Sequence, residues 1–229
     1  MDEEVYKQAI LKRCEQAGIT PVRREVQIKV RHRDFEKPYY MDLLVSLGLM
    51  IEAKTVEKLN KAHHAQSLHY LMLADIYHGL LVNLRPGKVE KQFVSTTLDL
   101  SERRRFKIYE SGWEPFNEAS HKLHELLLEL LNDWGVFLQT ALYREAIVHF
   151  FGGHEVALRR IPVFDGDVQL GTHEVCLLAN DTAMALTALK NGKDAMRDHL
   201  QRFTGHTKLS CVQWVNMDNH DIEFQTLKN

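Results

Sequence analysis

Asp42, Glu52 and Lys54 are the residues whose types and spacing suit hydrolytic chemistry. They lie in two short apolar segments, residues 41–45 and 49–54, which are joined by a three-residue turn. Such a turn sets Asp42 opposite Glu52 on adjacent strands, where like charges normally repel each other. A bound Mg²⁺ ion relieves this repulsion, because it accepts one or two carboxylates together with water and phosphate oxygens. Lys54 projects from the same face as Glu52, so the pattern predicts a metal site for phosphate chemistry.

Charged residues at alternate positions of a strand are more often a solvated pair, and this is the alternative for Glu52 and Lys54. The strand around them is otherwise apolar, since it reads Leu-Met-Ile-Glu-Ala-Lys from Leu49. Apolar strands of this kind are typical of the centre of a sheet. The setting therefore favours a functional role for the two charges.

The sequence around this hairpin predicts an α/β domain in the order helix, three strands, helix, strand. Apolar residues at helical spacing open the domain and stop at Gly18, after which the hydrophobic period changes to two. The predicted segments are a helix over residues 3–17, strands over 22–30, 39–45 and 49–54, a helix over 60–75 and a strand over 79–84. In this arrangement two acids and a lysine meet on one face of a mixed sheet.

Five segments in this order resemble the GxxExxY branch of the PD-(D/E)XK nuclease superfamily. Each segment is weak alone, but their order and spacing together are specific. The segments are Glu3-Glu4-Val5-Tyr6, Met41-Asp42-Leu43-Leu44-Val45, Ile51-Glu52-Ala53-Lys54, His64-Ala65-Gln66 with Tyr70-Leu71, and Gly79-Leu80-Leu81-Val82-Asn83. The resemblance implies a restriction-endonuclease-like α/β fold. It also implies a Mg²⁺-dependent enzyme, with Mn²⁺ as a substitute, that hydrolyses phosphodiester bonds of nucleic acid, DNA more than RNA.

The resemblance further implies a role for each residue of the site. The implied metal ligands are Asp42, Glu52, the backbone carbonyl of Ala53, and Glu3 from the first helix. Lys54 would orient or deprotonate the attacking water, and Gln66 would position water or phosphate. The simpler alternative for Glu3 is an acidic first-turn residue that the helix dipole favours.

The first half of the chain has the charge that suits a polyanion. Residues 1–110 hold 19 Lys and Arg against 15 Asp and Glu, whereas residues 111–229 hold 10 against 16. We expect nucleic acid to contact three basic residues near the first strand and a tyrosine of the second helix, namely Arg24, Lys29, Arg31 and Tyr70. The alternative for the basic residues is an ordinary solvated face.

An internal repeat predicts two tandem domains, residues 1–112 and 113–229. Four pairs of matching segments carry the repeat, and two of the pairs are three residues long or longer. Val5-Tyr6-Lys7-Gln8-Ala9-Ile10 returns as Leu142-Tyr143-Arg144-Glu145-Ala146-Ile147, and Leu81-Val82-Asn83 returns as Trp214-Val215-Asn216. The matches keep their order along the chain, which favours two copies of one nuclease-like domain.

The second copy lacks the residues of the predicted site. Counting from the hairpin, Met184 takes the place of Glu52 and Leu186 takes that of Lys54. Neither side chain binds a hard cation, so we expect a degenerate, inactive domain that acts as a pseudo-dimer or regulatory partner. The protein would then be a monomeric pseudo-dimer or a homodimer. The alternative function is a non-catalytic scaffold that binds nucleic acid or protein in both halves.

Composition places the chain in a broad class. It has 229 residues, of which 45% are hydrophobic, and a net charge of −2, which excludes a charged tail protein and argues against disorder. Cys14, Cys176 and Cys211 form neither a disulfide framework nor a zinc pattern. The first residues are acidic where a signal peptide is basic, and no stretch of about 18 residues is apolar throughout. We therefore expect a soluble cytoplasmic protein with no membrane partner.

Overall fold

The computed structural model of the chain describes residues 3–229, which divide into two compact units, up to Glu102 and from Arg103. The first two residues, with which the first predicted domain begins, lie outside the described part. The first unit contains α1 (Glu3–Gln16), β1 (Val22–His32), β2 (Phe35–Val45), β3 (Leu49–Lys54), α2 (Lys61–Ala74), β4 (His78–Asn83) and β5 (Glu90–Ser95), and α3 (Leu100–Arg103) lies at the boundary.

The strands of the first unit form one mixed sheet in the order β1-β2-β3-β4-β5. Neighbours are antiparallel except β3 and β4, which run parallel because α2 connects them. Alternate side chains of the sheet pack into two hydrophobic cores, one on each face. Leu44 and Met50 pack with Leu71 of α2, whereas Leu43 packs with Ile10 of α1. The two helices therefore cover opposite faces, and β3 is the central strand.

The predicted register of the hairpin is confirmed for the three residue pairs next to the turn. Val45 pairs with Leu49, and the ladder continues to Leu43 opposite Ile51, where it ends. The left-handed backbone conformations of the turn fall on Ser46 and Leu47, with φ of 49° and 61°. The register puts the face that carries Glu52 and Lys54 in the middle of the sheet.

Two features of the first sheet differ from the predicted elements. β2 begins at Phe35 because its first residues extend the hairpin with β1, although Pro38 and the charges beside it are unusual in a strand. β5 was not predicted, so the order is helix, three strands, helix, two strands. It is an edge strand on which only Val94 is buried, and a strand with one buried side chain has no clear hydrophobic period.

The second unit contains a second mixed sheet in the order β6-β11-β10-β9-β8-β7. Its elements are β6 (Lys107–Gly112), α4 (Glu118–Trp134), α5 (Thr140–Phe150), α6 (His154–Ala157), β7 (Leu158–Asp165), β8 (Val168–Ala179), β9 (Thr182–Thr187), α7 (Lys193–Gly205), β10 (Cys211–Asp218) and β11 (Asp221–Lys228). The strands from β7 to β11 repeat the order and the parallel or antiparallel sense of β1 to β5. In this unit too, a helix connects the third and fourth strands of the series, which run parallel.

The boundary between the units lies ten residues before the predicted one. Residues 103–112 belong with the second unit, because β6 pairs in parallel with β11. Arg103 is buried and donates a hydrogen bond to the carbonyl of Trp134. No helix in the described part of the chain is long and apolar enough to cross a membrane.

Candidate active site

Asp42 lies where β2 stops pairing with β3. Instead of continuing the ladder opposite Glu52, its side chain reaches the neighbouring backbone, and Oδ2 accepts a hydrogen bond of 2.8 Å from the Ala53 amide. This contact holds the Asp42 carboxylate against the central strand. The predicted register made Asp42 and Glu52 a ladder pair. In the structure, Asp42 is instead held at β3 by its side-chain contact with the Ala53 amide.

Glu52 is 3% exposed and lies in the middle of the sheet. Its Oε1 accepts a hydrogen bond of 2.8 Å from Lys54 Nζ, whereas Oε2 is buried and has no hydrogen-bond partner within residues 3–229. The pKa of Glu52 is raised to about 7, because burial and the charge of Asp42 together outweigh the charge and hydrogen bond of Lys54. A buried carboxylate oxygen without a partner is costly, so this atom marks a place for a cation or a proton.

Lys54 completes the predicted group at the end of β3. Burial acts to lower its pKa, but the charge of Glu52, together with those of Asp42 and Glu3, outweighs burial, so that the pKa is raised. Lys54 is therefore an ammonium ion at neutral pH. In this state it can stabilise negative charge, but it cannot act as a base.

Lys7 of α1 is a buried cation of the site that sequence reasoning missed. Its Nζ lies 2.6 Å from Oδ1 of Asp42, 2.8 Å from Oε1 of Glu25 and 3.8 Å from Oε1 of Glu3. Burial lowers its pKa, but the hydrogen bonds to Asp42 and Glu25, together with the charges of these acids, raise it by more. The one signal in the sequence was its position four residues after Glu3, on the same face of the helix.

Glu3 therefore reaches the site through Lys7. Its Oε1 forms an ion pair with that lysine, and its charge also raises the pKa of Lys54. Glu25 approaches the same lysine from β1, at a residue whose φ is 46°. A left-handed conformation within a strand is unusual for a residue with a side chain, and here it accompanies the ion pair with Lys7.

Gln66 and Tyr70 lie on α2 and are hydrogen-bonded to each other. Gln66 Nε2 donates to Tyr70 Oη over 3.0 Å. Burial raises the pKa of Tyr70, the hydrogen bond from Gln66 opposes this, and the charge of Glu52 adds to it. Tyr70 also packs against the cluster that contains Met50, which lies two residues before Glu52 on the same face of β3, so this pair lies on the face that carries Glu52. His63, by contrast, accepts a hydrogen bond from the Asn60 amide in the N-terminal cap of the helix.

The family comparison agrees with this arrangement. Residues 1–95 match a family model described as the PD-(D/E)XK nuclease superfamily. They form a PD-(D/E)XK nuclease superfamily domain. Members of this superfamily are generally hydrolytic nucleases, and they typically use divalent metals.

Other comparisons are more distant. No curated protein matches the chain. A solved structure entitled "Crystal structure of SSO0001" is 19% identical, with a TM-score of 0.34, over 43% of this chain and 52% of its own. The chain thus spans about half the length of that structure.

The oxygen donors of the PD-(D/E)XK domain fit a hard divalent cation such as Mg²⁺. They are the carboxylates of Asp42 and Glu52 and the carbonyl of Ala53. One of the four carboxylate oxygens, Glu52 Oε2, lacks a protein partner among the described residues, and Asp42 Oδ1 is held by Lys7. No group of three or more His, Cys, Asp or Glu side chains within residues 3–229 is placed to hold a metal, so the ion would depend on these two acids, the carbonyl and water.

The basic residues predicted to contact nucleic acid lie in ion pairs of their own. Lys29 and Arg31 both contact Glu36, at 3.1 Å and 2.7 Å, and their hydrogen bonds lower the pKa of that glutamate. Arg24 pairs with Glu4 and Gln8 of α1. The structure therefore brings Tyr70 to the site of the PD-(D/E)XK domain, but it places these three basic residues against other partners.

A buried asparagine makes the same contacts in both units. The Asn83 side chain accepts from the Val56 amide at 3.1 Å and donates to its carbonyl at 2.9 Å. Asn216 does the same with Leu189, at 2.7 Å and 2.9 Å. These contacts and the shared strand order make Asn83 and Asn216 corresponding positions of the two sheets.

This correspondence shifts the predicted alignment of the second unit by one residue. Lys54 pairs with Asn83 across the parallel strands, and Thr187 pairs with the corresponding Asn216. Two residues earlier, Ala185 therefore stands at the position of Glu52, in place of the predicted Met184. The prediction counted from the hairpin, where the second sheet has an irregular register at residues 177–179.

Proposed function

We propose that the PD-(D/E)XK domain is a metal-dependent nuclease that hydrolyses phosphodiester bonds, with DNA preferred over RNA. The observation that carries the proposal is the buried Oε2 of Glu52, which has no hydrogen-bond partner within residues 3–229. The other oxygen of Glu52 accepts from Lys54, and the charge of Asp42 acts on the same carboxyl group. Two acids and a cation on a central strand suit a bound metal ion and a phosphate together.

Each residue of the site has a distinct task in this proposal. Asp42, Glu52 and the Ala53 carbonyl hold Mg²⁺, for which Mn²⁺ substitutes. When bound, the ion lowers the pKa of a water molecule and neutralises charge on the phosphate. Lys54 remains protonated and stabilises the charge that develops on the phosphate. Gln66, held by Tyr70, orients the water or a phosphate oxygen.

The second unit is proposed to be a degenerate copy of the first, within a GxxExxY-type protein. The repeated strand order and the shared asparagine contacts support this origin. Ala185 and Thr187 supply neither a carboxylate nor a lysine, so the chemistry belongs to the first unit. We propose that the second unit acts as a pseudo-dimer or regulatory partner for it.

A cleavage assay paired with metal binding tests the proposal. The substrates are labelled duplex, nicked, branched and single-stranded DNA, and single-stranded RNA, each with Mg²⁺ or Mn²⁺. Glu52→Gln should abolish both cleavage and the calorimetric binding of Mn²⁺. Lys54→Met should lower the cleavage rate at least about a hundredfold but keep Mn²⁺ binding, because it removes no ligand.

The controls change the same residue types at exposed positions after β3. Glu57→Gln and Lys58→Met should behave as the wild type, since both side chains are exposed. Cleavage that is unchanged in Glu52→Gln and Lys54→Met would remove the assignment of the site.

A scaffold that binds nucleic acid without cutting it is the second candidate. The observation that favours it is the ion pair in which Lys7 neutralises Asp42. This candidate predicts that the protein binds DNA in every metal condition and cleaves no substrate, and that Mn²⁺ leaves its melting temperature unchanged.

A further inference from the structure

We propose that the second unit contains a binding site for a small molecule with an anionic head and an apolar body. The site is a cavity of about 490 Å³ between α5, the sheet and α7. This volume lies within the range of small-molecule pockets, which is roughly 300–1,000 Å³. The inference does not depend on the nuclease function of the first unit, because every lining residue lies in the second.

The cavity occupies the place in its unit that the candidate active site occupies in the first. Its walls come from α5, β8, β9 and α7, which correspond in order to α1, β2, β3 and α2. Ala185 and Thr187 line it at the positions of Glu52 and Lys54. Shorter, uncharged side chains on the same framework leave open the space that charged groups fill in the first unit.

Arg144 gives the cavity a positive charge. Its position in α5 matches that of Lys7 in the sequence repeat, but Lys7 has three carboxylates around it. Arg144 forms no hydrogen bond or ion pair with any residue from 3 to 229, although Glu174 also lines the cavity. The charge of Arg144 lowers the pKa of Cys176, which burial raises. A guanidinium without a counterion at a cavity wall is a ready partner for a carboxylate, sulfonate or phosphate.

The other lining residues indicate that the rest of the ligand is apolar. Most of the lining side chains are apolar, among them Met184, Met196 and Phe203. Besides Arg144, Glu174 and Cys176, the titratable groups in the lining are His173 and His199. Methionine and aromatic side chains adapt well to flat or branched apolar groups. An aromatic carboxylate and a nucleoside monophosphate share the required chemistry, whereas a bare phosphate lacks the apolar part.

Fluorescence titration of the full-length protein with anilinonaphthalene sulfonate tests the site. This probe combines an aromatic body with one anionic group. We expect saturable binding to one site, a loss of affinity of about tenfold in Arg144→Met, and no binding in Ala185→Trp, where the indole fills the cavity. Arg202→Met is the matched control on α7, because Arg202 is exposed and donates to the Asp198 carbonyl of its own helix, and it should leave the affinity unchanged.

Competition with the bound probe distinguishes an aromatic carboxylate from a nucleoside monophosphate as the ligand. Phenylpropionate and adenosine monophosphate are added to the bound probe in separate arms, and inorganic phosphate should displace nothing. Circular dichroism and melting temperature check that each variant is folded, and Arg144→Met decides the outcome if Ala185→Trp does not fold. The proposal is overturned if the wild type does not bind the probe, if Arg144→Met binds it as the wild type does, or if a folded Ala185→Trp still binds it.

Discussion

Lys7 Nζ lies 2.6 Å from Asp42 Oδ1, so that a lysine of α1 neutralises one of the two carboxylates assigned to the metal. The same ammonium is 2.8 Å from Glu25 of β1. Lys7 is thus an internal cation that reduces the repulsion between the carboxylates when no metal is bound. A metal ion that uses Asp42 Oδ1 must compete with it.

Replacement of this lysine should make metal binding tighter and the metal-free domain weaker. Lys7→Met leaves Asp42 and Glu25 without their cation, which we expect to lower the free energy of unfolding by about 3 kcal/mol without metal. The affinity for Mn²⁺ should rise about tenfold, equivalent to about 1.4 kcal/mol. Calorimetry measures the affinity, and circular dichroism measures stability with and without Mn²⁺.

Lys12→Met is the matched control for this experiment. Lys12 is an exposed lysine of the same helix, so its removal should change neither affinity nor stability. An equal Mn²⁺ affinity in the wild type and Lys7→Met would show that Lys7 does not compete with the metal.

The raised pKa of Glu52 predicts a stability that falls with rising pH. In the folded domain this pKa is about 7, against an ordinary value of 4.5. Between these two pH values the folded state keeps a proton that the unfolded chain releases, so stability declines across the window and is constant above it. The total loss is on the order of 3 kcal/mol.

Glu52→Gln should remove this pH dependence, since the amide does not ionise. Metal-free wild type and variant are unfolded in urea at several pH values between 4 and 8, and the stability of the variant relative to the wild type should increase with pH. Glu57→Gln, an exposed control, should follow the wild type. A constant difference between Glu52→Gln and wild type would contradict the raised pKa.

Asn83 and Asn216 should make similar contributions to the stability of their respective units. Each alanine substitution removes the partner of a partly buried amide and carbonyl, at Val56 or Leu189, and should cost about 2 kcal/mol. The three tryptophans, Trp113, Trp134 and Trp214, all lie in the second unit. Asn216→Ala should therefore shift the urea transition seen by tryptophan fluorescence.

Asn83→Ala should instead shift a transition that is visible by circular dichroism and absent from tryptophan fluorescence. It should also slow cleavage, because the asparagine holds the segment that follows Lys54. A fluorescence shift in Asn83→Ala as large as that in Asn216→Ala would show that the two contacts do not stabilise separate units.

Removal of Glu36 should strengthen binding to nucleic acid. Glu36 neutralises part of the charge of Lys29 and Arg31, so Glu36→Gln removes this neutralisation and makes the strand more positive toward phosphates. Fluorescence anisotropy with duplex DNA should show a tighter complex with a steeper dependence on salt. Glu15→Gln, an exposed control on α1, should bind as the wild type. If Glu36→Gln leaves both affinity and salt dependence unchanged, this strand is not the contact surface.

Local pattern was enough to predict the hairpin. A three-residue turn determines which residues of two adjacent strands face each other, so the sequence predicted the register that leads to Glu52 and Lys54. It could not predict how Asp42 reaches β3, because that depends on where the ladder ends. The edge strand β5 was missed for the related reason that it buries only Val94.

The sequence by itself determined the types and local spacing of the acids and the lysine, because turns and strand periodicity act over a few residues. Only the tertiary structure decided that Lys7, Glu25 and Asp42 meet, since they come from three elements that packing brings together. Packing also decided that the second unit has a cavity where the first has charged groups. Burial and the convergence of distant segments determine the pKa values of the acids and lysines in the first unit and leave space for the cavity in the second. Neither effect can be predicted from spacing along the chain.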